Sequence, residues 1–399
     1  MNSRPLSGVR VLELSQIMAG PTAGMMLADL GADVVKVEKL PGGDDARGYR
    51  EPRVNGVSAP FLVLNRNKRG IALDLKHPKG KAVLRRLVES ADVLTENYRK
   101  GTLEKLGLGY DTLSKINPAL IYCAVSGYGR NGPLADVGGF DLIAQGFAGL
   151  MSITGEPGRP PAKTGNSVAD INAGILAALG VLAAYVQRLK TGRGQVVETS
   201  LMEAALQQTY WHAAIFFATG TSPGPLGSGH VLTAPYQAFR CADGYINIGG
   251  ANQANWERIA DVLGHPEWRT DPRFATNSDR MANLPALVQA MEEELARRTA
   301  TQWVEAFDAA GVPAGPVNSI GQALSHPQVA ARGMIVETTH AQAGATRSLG
   351  FPISLSETPA RVTRPAPMLG EHTREVLAEA GYGDAEIDTL IDEGVVAAS

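Results

Sequence analysis

The sequence predicts an α/β fold: an open sheet of parallel strands with helices between them, joined to a smaller α+β domain. Two observations carry this. Short apolar runs at 9–14, 33–38, 71–75, 91–97, 120–125 and 196–201 alternate with loops and helical stretches, a β-loop-α rhythm typical of parallel sheets. From about residue 221 the composition then changes: the segment 221–230 is too rich in Gly, Pro and polar residues to be an element, and it marks a domain entry. The expected division is a large domain over 1–224, a small α+β domain over 225–325, and a return to the large domain over 326–399.

The elements justify themselves in order. Residues 9–14 read as a buried strand. Pro21 then sits where a first helical turn tolerates proline, and the helix runs through Leu27 and Leu30 to Gly31. With the strand 33–38 this makes a βαβ unit, whose right-handed crossover sets the two strands parallel. Glu38 lies where a ribose-binding acid would sit, but the turn at 19–24 lacks the G-x-G-x-x-G fingerprint, which argues against a dinucleotide. An amphipathic helix at 82–90 follows the strand at 71–75. A Gly-rich turn at 126–129 follows the strand at 120–125. Past the domain entry, strands at 237–240 and 245–248 precede helices around Trp256 and over 284–298. Residues 350–399 read as strand, turn and helix, ending in a helix at 384–393.

Composition bounds the function. The 399 residues are 44% apolar and 19% charged, an ordinary globular balance long enough for two domains. A net charge of −3 gives no general attraction for nucleic acid or membrane, so neither is expected as a partner. Cys123 and Cys241 fit neither a disulfide framework nor a zinc site, and no metal is expected; both read as small buried hydrophobes. A strand begins almost at once, which leaves no room for a signal peptide. The apolar run 173–186 is shorter than the ~20 residues a bilayer requires. A cytoplasmic location follows as an expectation.

Two features invite chemistry. Lys36, Lys39, Arg66, Lys68, Arg69, Lys76 and Lys79 gather around strand ends inside a slightly acidic chain. They read either as a solvated charged face or as a phosphate site, since open α/β sheets bind phosphates at strand ends and helix starts. The second feature is Asp170, a lone carboxylate before sixteen uncharged residues rich in Ala, Gly and Leu, a composition that suits a helix buried on most sides. Ser167-x-x-Asp170 is locally a capping-box pattern, with Ser167 as N-cap. Pattern alone leaves cap and nucleophile both open.

The chain resembles the class III CoA-transferase family. The resemblance rests on Ala19-Gly20-Pro21, the run 31–38, Asn65-x-Asn67-Lys68-Arg69, Glu96-Asn97, the turns at 126–129 and 191–195, the run 311–316, and the stretch 369–373. It implies a Rossmann-like large domain built from both chain ends, a small middle domain, and a homodimer of interlocked chains. It also implies acyl-CoA and small carboxylic acids as substrates, with a CoA thioester passing through and no permanently bound cofactor. The aspartate matched by Asp170 forms covalent intermediates with the acyl group and then with CoA, ordinary nucleophilic catalysis by a carboxylate. Such an anion is favoured at a helix N-terminus.

Further matches follow residue by residue. Ile17, Met18 and Ala19 align with the turn along the pantetheine and acyl end, and Lys39, Leu73, Lys76, Asn97 and Lys105 with CoA-binding positions. The stretch 227–230, with His230, aligns with a glycine loop that covers the intermediate in some relatives, though here it is shorter and mixed. Asp141 aligns with an acidic residue that assists the nucleophile, and it reads equally as a turn or ion-pair residue. Met18 stands where oxalate-specific members carry Gln, which argues against oxalate as acceptor. Phe140 stands where α-methylacyl-CoA racemases carry a proton-accepting His, which argues against that activity. Arg47 and Arg66 read either as spare cations able to fork onto the distal carboxylate of a dicarboxylic acyl group or equally as structural residues, and succinyl-CoA or another dicarboxylic acyl-CoA is the expected donor.

Overall fold

A computed structural model describes residues 4–399, which fall into two compact units. The first runs to Ala148 and takes in Gly165–Gln208 and Pro327–Ser399; the second comprises Gly149–Thr164 and Thr209–His326. The small unit therefore begins earlier than the Gly/Pro-rich segment suggests and includes a piece near 150–164. Nothing in local composition marks these borders, because Tyr210–Thr219 is an apolar helix like its predecessors.

The first unit is built on β1 (Arg10–Glu13), α1 (Ala19–Asp29), β2 (Asp33–Glu38), β3 (Lys68–Leu73), α2 (Pro78–Glu89), β4 (Val93–Glu96), β5 (Ile121–Ser126), α3 (Asp141–Phe147), α4 (Val168–Thr191) and β6 (Val196–Ser200). The strands lie in the order β3-β2-β1-β4-β5-β6, all parallel, and the short strand Val396–Ala397 closes the β3 edge antiparallel. The order reverses between β1 and β4. In such sheets the crevice beyond the carboxyl ends of the two central strands is where ligands bind.

One face of the sheet is covered by α2, whose Val83, Leu84, Leu87 and Val88 pack on Leu12, Val35, Ile71 and Leu94. α1 and α4 pack against each other, with room made by glycine. A Cβ on Gly174 of α4 would lie 2.6 Å from the Ala19 carbonyl oxygen and 2.6 Å from Thr22 Cβ. The buried stripe of α4 is made of small residues, Ala169, Ala173, Gly174, Ala177, Ala178, Val181 and Ala184.

Two expectations need correction here. α4 is not buried on most sides: Leu179 is 60% exposed and Leu189 71%, so within this chain only the alanine-glycine stripe is covered. At 24 residues α4 is also long enough to cross a membrane by length and composition, which the apolar run alone is not. Its small-residue stripe against α1 is the packing of a core helix. The C-terminal stretch also differs in order. Helices Thr373–Glu379 and Asp384–Asp392 precede the strand, because the pair that forms it, Val396–Ala397, is too short to carry a periodic signal.

The second unit has the expected α+β build. Its antiparallel sheet of β7 (Tyr236–Cys241), β8 (Gly244–Gly249) and β9 (Ala314–Pro316) has β8 in the centre. Phe239, Ile246 and Ile248 pack with Trp256, Phe274, Leu287, Trp303 and Phe307 from its helices. Cys123 and Cys241 are both buried and unbridged.

Candidate active site

The carboxyl ends of β1 to β4 gather most of the residues the sequence singles out. Ile17, Met18 and Ala19 form the turn from β1 into α1. Lys39 follows β2, Lys76 lies in an exposed turn after β3, and Asn97 and Lys105 follow β4. Asn97 fixes the β1 turn from across the switch point. Its side-chain amide donates to the Gln16 carbonyl at 2.8 Å, and its carbonyl accepts the Gln16 N–H at 2.8 Å. Ile17 has a φ of 65°, a left-handed conformation that is costly for a β-branched residue. Its N–H is accepted by the Asp44 carboxylate at 3.0 Å. The first helical bond of α1 runs from the Thr22 N–H to the Met18 carbonyl, and Pro21 has no N–H. The Ala19 and Gly20 amides are therefore the opening donors of the helix.

Asp170 stands in the first turn of α4, one turn before Gly174 and on the same face, so it lies toward the start of α1. The capping box is not formed, since the Ser167 side chain makes no cap bond. Asp141, from the first position of α3, does that work instead. Its Oδ1 accepts the Ala169 N–H at 2.9 Å while Oδ2 accepts Gln145 Nε2 at 2.7 Å. Among the described residues the Asp170 carboxyl oxygens accept no hydrogen bond and face no cation. Burial pushes the acid up to about 6, and the negative charge of Asp141 adds to the shift. At pH 7 the carboxylate is still mostly ionised, and no counter-ion faces it. The helix N-terminus does not overcome desolvation here.

Backbone packing sets the position of Asp141. A Cβ on Gly139 would lie 2.7 Å from Gly127 Cα, so the two glycines bring the segment before α3 hard against the turn after β5. Phe140, which precedes Asp141, is 78% exposed and carries no titratable group.

The cation cluster resolves differently. Lys36 and Lys68 are fully buried on Glu13 of β1, at 3.0 and 2.8 Å, and Lys36 also reaches Asp44 at 2.8 Å. Burial alone opposes its charge, but Glu13, Asp44 and Glu38 outweigh that and raise Lys36, whereas burial brings Lys68 down to about 8. Gly24 of α1 makes room for Glu13; a Cβ there would meet its Oε2 at 1.6 Å. Arg66 is buried on Asp29 at 2.6 Å, and Arg69 pairs with Asp33, Glu375 and Glu379. Arg47 is bidentate on Glu38 at 2.7 Å and lies 3.7 Å over the Phe61 ring.

Neither Arg47 nor Arg66 is therefore a spare cation, because each already neutralises a buried carboxylate. Glu38 is likewise occupied by Arg47. Leu73 is a fully buried core residue, and its side chain offers nothing to a ligand. Lys39 pairs with Asp45 on the surface, while Lys76 and Lys105 are exposed. His230 belongs to the second unit, where its Nδ1 accepts the Leu232 N–H and its ring sits edge-on to Tyr236.

The buried quartet Glu13, Lys36, Asp44 and Lys68 is what reading the sequence missed. The signal was present: a charge inside a strand covered on both faces must find an opposite charge there.

A parallel sheet in this order, reversing between β1 and β4, is that of a doubly wound α/β protein, and it carries an unpaired carboxylate at the start of α4. Residues 6–373 match CoA-transferase family III, and the chain belongs to that family. It is 40% identical over 381 residues to the succinate–glutarate CoA-transferase of Agrobacterium fabrum, covering 94% of this chain and 95% of that one. It is 37% identical over 384 residues to the acetyl-CoA:oxalate CoA-transferase of Acetobacter aceti, covering 96% and 97%. A solved CAIB/BAIF family protein from Brucella suis superposes with a TM-score of 0.85 at 38% identity, over 95% of this chain and all of that one. The protein is a CoA-transferase, with acyl-CoA and a carboxylic acid as its substrates.

Proposed function

We propose that this enzyme moves CoA from succinyl-CoA, or another dicarboxylic acyl-CoA, to a free carboxylic acid through covalent intermediates on Asp170. The observation that carries this reading is the unpaired, half-buried Asp170 carboxylate in the first turn of α4, one turn before the glycine that packs on the start of α1. A carboxylate oxygen attacks the thioester carbonyl, the C–S bond breaks, and a mixed anhydride and CoA thiolate result. The thiolate attacks the aspartyl carbonyl, which releases the donor acid as its carboxylate and leaves an aspartyl-CoA thioester. The acceptor carboxylate then attacks that thioester to form a second anhydride and free the thiolate. The thiolate takes the new acyl group, and Asp170 is regenerated with no net proton or water consumed.

Lys39, Lys76 and Lys105, exposed beyond β2, β3 and β4, serve the CoA phosphates in this reading. The choice of succinyl donor rests on the succinate–glutarate relative and on Met18, which offers no hydrogen bond to an oxalate carboxylate. A homodimer fits the apolar face that α3 and α4 leave uncovered, with Phe147 and Leu179 both more than half exposed. A cytoplasmic location fits a CoA-thioester substrate. Racemisation is the weaker reading, since Phe140 supplies no base.

The deciding experiment is incubation with succinyl-CoA followed by hydroxylamine and mass analysis, alongside a screen of acid acceptors. The expected adduct lies on Asp170, with dicarboxylates such as glutarate preferred over oxalate. Full transferase activity in Asp170→Ala, or deuterium uptake at the α-carbon of a 2-methylacyl-CoA without CoA exchange, overturns the reading.

A further inference from the structure

Glu13, Ser15, Gln16, Asp44 and Thr95 all place buried polar side-chain atoms in one region, where Glu13 and Asp44 are met by lysines and Ser15 Oγ, Gln16 Oε1 and Thr95 Oγ1 have no hydrogen-bond partner among the described residues. All five residues sit at or near the carboxyl ends of β1 and β4, or in the loop after β2 that reaches them. The polar groups there are arranged around a single strained point. Asp44 stands between that point and the buried cations. Oδ1 accepts the N–H groups of Ile17 and Ala46 at 3.0 and 2.9 Å, while Oδ2 faces Lys36 Nζ at 2.8 Å. Lys36 in turn bonds the Ser15 carbonyl at 3.0 Å, and Lys68 bonds the Pro21 carbonyl at 3.0 Å. The quartet thus grips the β1–α1 turn from both sides of Ile17.

We infer that Asp44 is a positioning residue for the transferase reaction. Anchored by Lys36, it holds Ile17 in the left-handed conformation and so aims the Ala19 and Gly20 amides beside Asp170. The inference rests on the Asp170 reading above. A left-handed Ile persists only where its surroundings over-determine it, and such strain is found where geometry is being held for chemistry. The charge on Asp44 is balanced by Lys36, so it reaches the reaction through backbone geometry and not through its own field. A small misplacement of the turn acts on the rate of attack, leaving CoA affinity, set by the exposed lysines, largely intact.

The test is a double-mutant cycle between Asp44→Asn and Ile17→Gly in the full-length protein. It is read as kcat, KM, the rate of hydroxylamine-trappable acylation, and CoA binding by calorimetry. Asp44→Asn is expected to lower kcat about 30-fold, with the Kd for CoA within about threefold of the parent. Glycine adopts a positive φ without being forced. In the Ile17→Gly background the same Asp44→Asn change is therefore expected to cost less than about fivefold. An equal cost in both backgrounds, or an unchanged kcat in folded Asp44→Asn, overturns the inference.

If Asp44→Asn does not fold, Ile17→Pro alone decides, because it leaves the quartet untouched while its fixed negative φ forbids the left-handed conformation. A kcat lowered about fivefold with unaltered CoA affinity supports the inference, and an unchanged kcat defeats it. Asp170→Ala is run in parallel. An active Asp170→Ala overturns both readings, whereas an inactive one beside an unaffected Asp44→Asn overturns this one alone.

Discussion

Two acidic sites in the first unit are built from the same residue types and have opposite characters. Beneath the β1–α1 turn, Glu13 and Asp44 share two lysines at 2.8–3.0 Å, and all four side chains are fully buried. At the start of α4, Asp170 has no cation, and its acidic neighbour Asp141 spends its own oxygens on the Ala169 N–H and on Gln145. Pairing makes the first site a fixed scaffold. The absence of pairing leaves the second with a carboxylate raised to about 6, whose lone pairs are uncommitted. Burial is common to both, so what separates a fixed scaffold from an uncommitted carboxylate is the counter-ion.

The sharpest way to break this contrast is to delete each acid's function. Asp170→Ala is expected to lower kcat by about 10⁴-fold or more while urea unfolding shows a folded protein, because the proposed nucleophile would have no substitute. Lys36→Met should do the reverse. It leaves Glu13 and Asp44 with one cation between them, and removing one partner of a buried ion pair costs about 3–5 kcal/mol. The expected result is a fall of that size in unfolding free energy. A scaffold variant as stable as the parent would mean that the quartet is not what holds the β1–α1 turn.

How much of this was legible in sequence follows the same division. The β-loop-α rhythm and Pro21 pointed to β1, α1 and β2, and the resemblance singled out Asp170, Asn97 and the 17–19 turn, of which Asn97 is bonded to the residue that opens that turn. The cations at 66–69 misled because strand ends attract both phosphates and structural ion pairs. Only the partners, Asp29, Glu13 and Asp33, distinguish the two, and each of them lies more than thirty residues away in sequence. Ser167-x-x-Asp170 misled in the same way. The acceptor that caps α4 comes from Asp141, twenty-eight residues earlier, and no local pattern reports it. Small residues in α4 suggested burial, yet the stripe of alanines faces α1 and the leucines face outward, a split that depends on which neighbour the helix meets.

pH sharpens the comparison next. In the proposed mechanism attack needs the ionised form of Asp170, so kcat/KM should rise with pH through about 6 and level off above 7. Asp141→Asn keeps an oxygen for the Ala169 N–H and removes the negative charge that helps to raise Asp170. The acid limb should therefore move to lower pH, while activity at pH 8 stays within about twofold of the parent. An unmoved limb would leave desolvation as the sole cause of the shift.

The smallest expected effect concerns stability at Asp170. A carboxylate whose folded pKa lies above its unfolded value disfavours the folded state once pH exceeds both, because the folded protein then holds a charge that burial penalises. That penalty is absent below about pH 3, where both states are protonated, and is complete above about pH 7. Asp170→Asn keeps the shape and removes the charge. It should be inactive, yet melt about 2 °C higher than the parent at pH 8, with the difference vanishing toward pH 3. The matching change in the scaffold, Glu13→Gln, should lower the melting point at pH 8, since it strips two buried lysines of their shared partner. Opposite signs from the same loss of one negative charge would show that one acid is held at a cost to the fold while the other is part of what holds it.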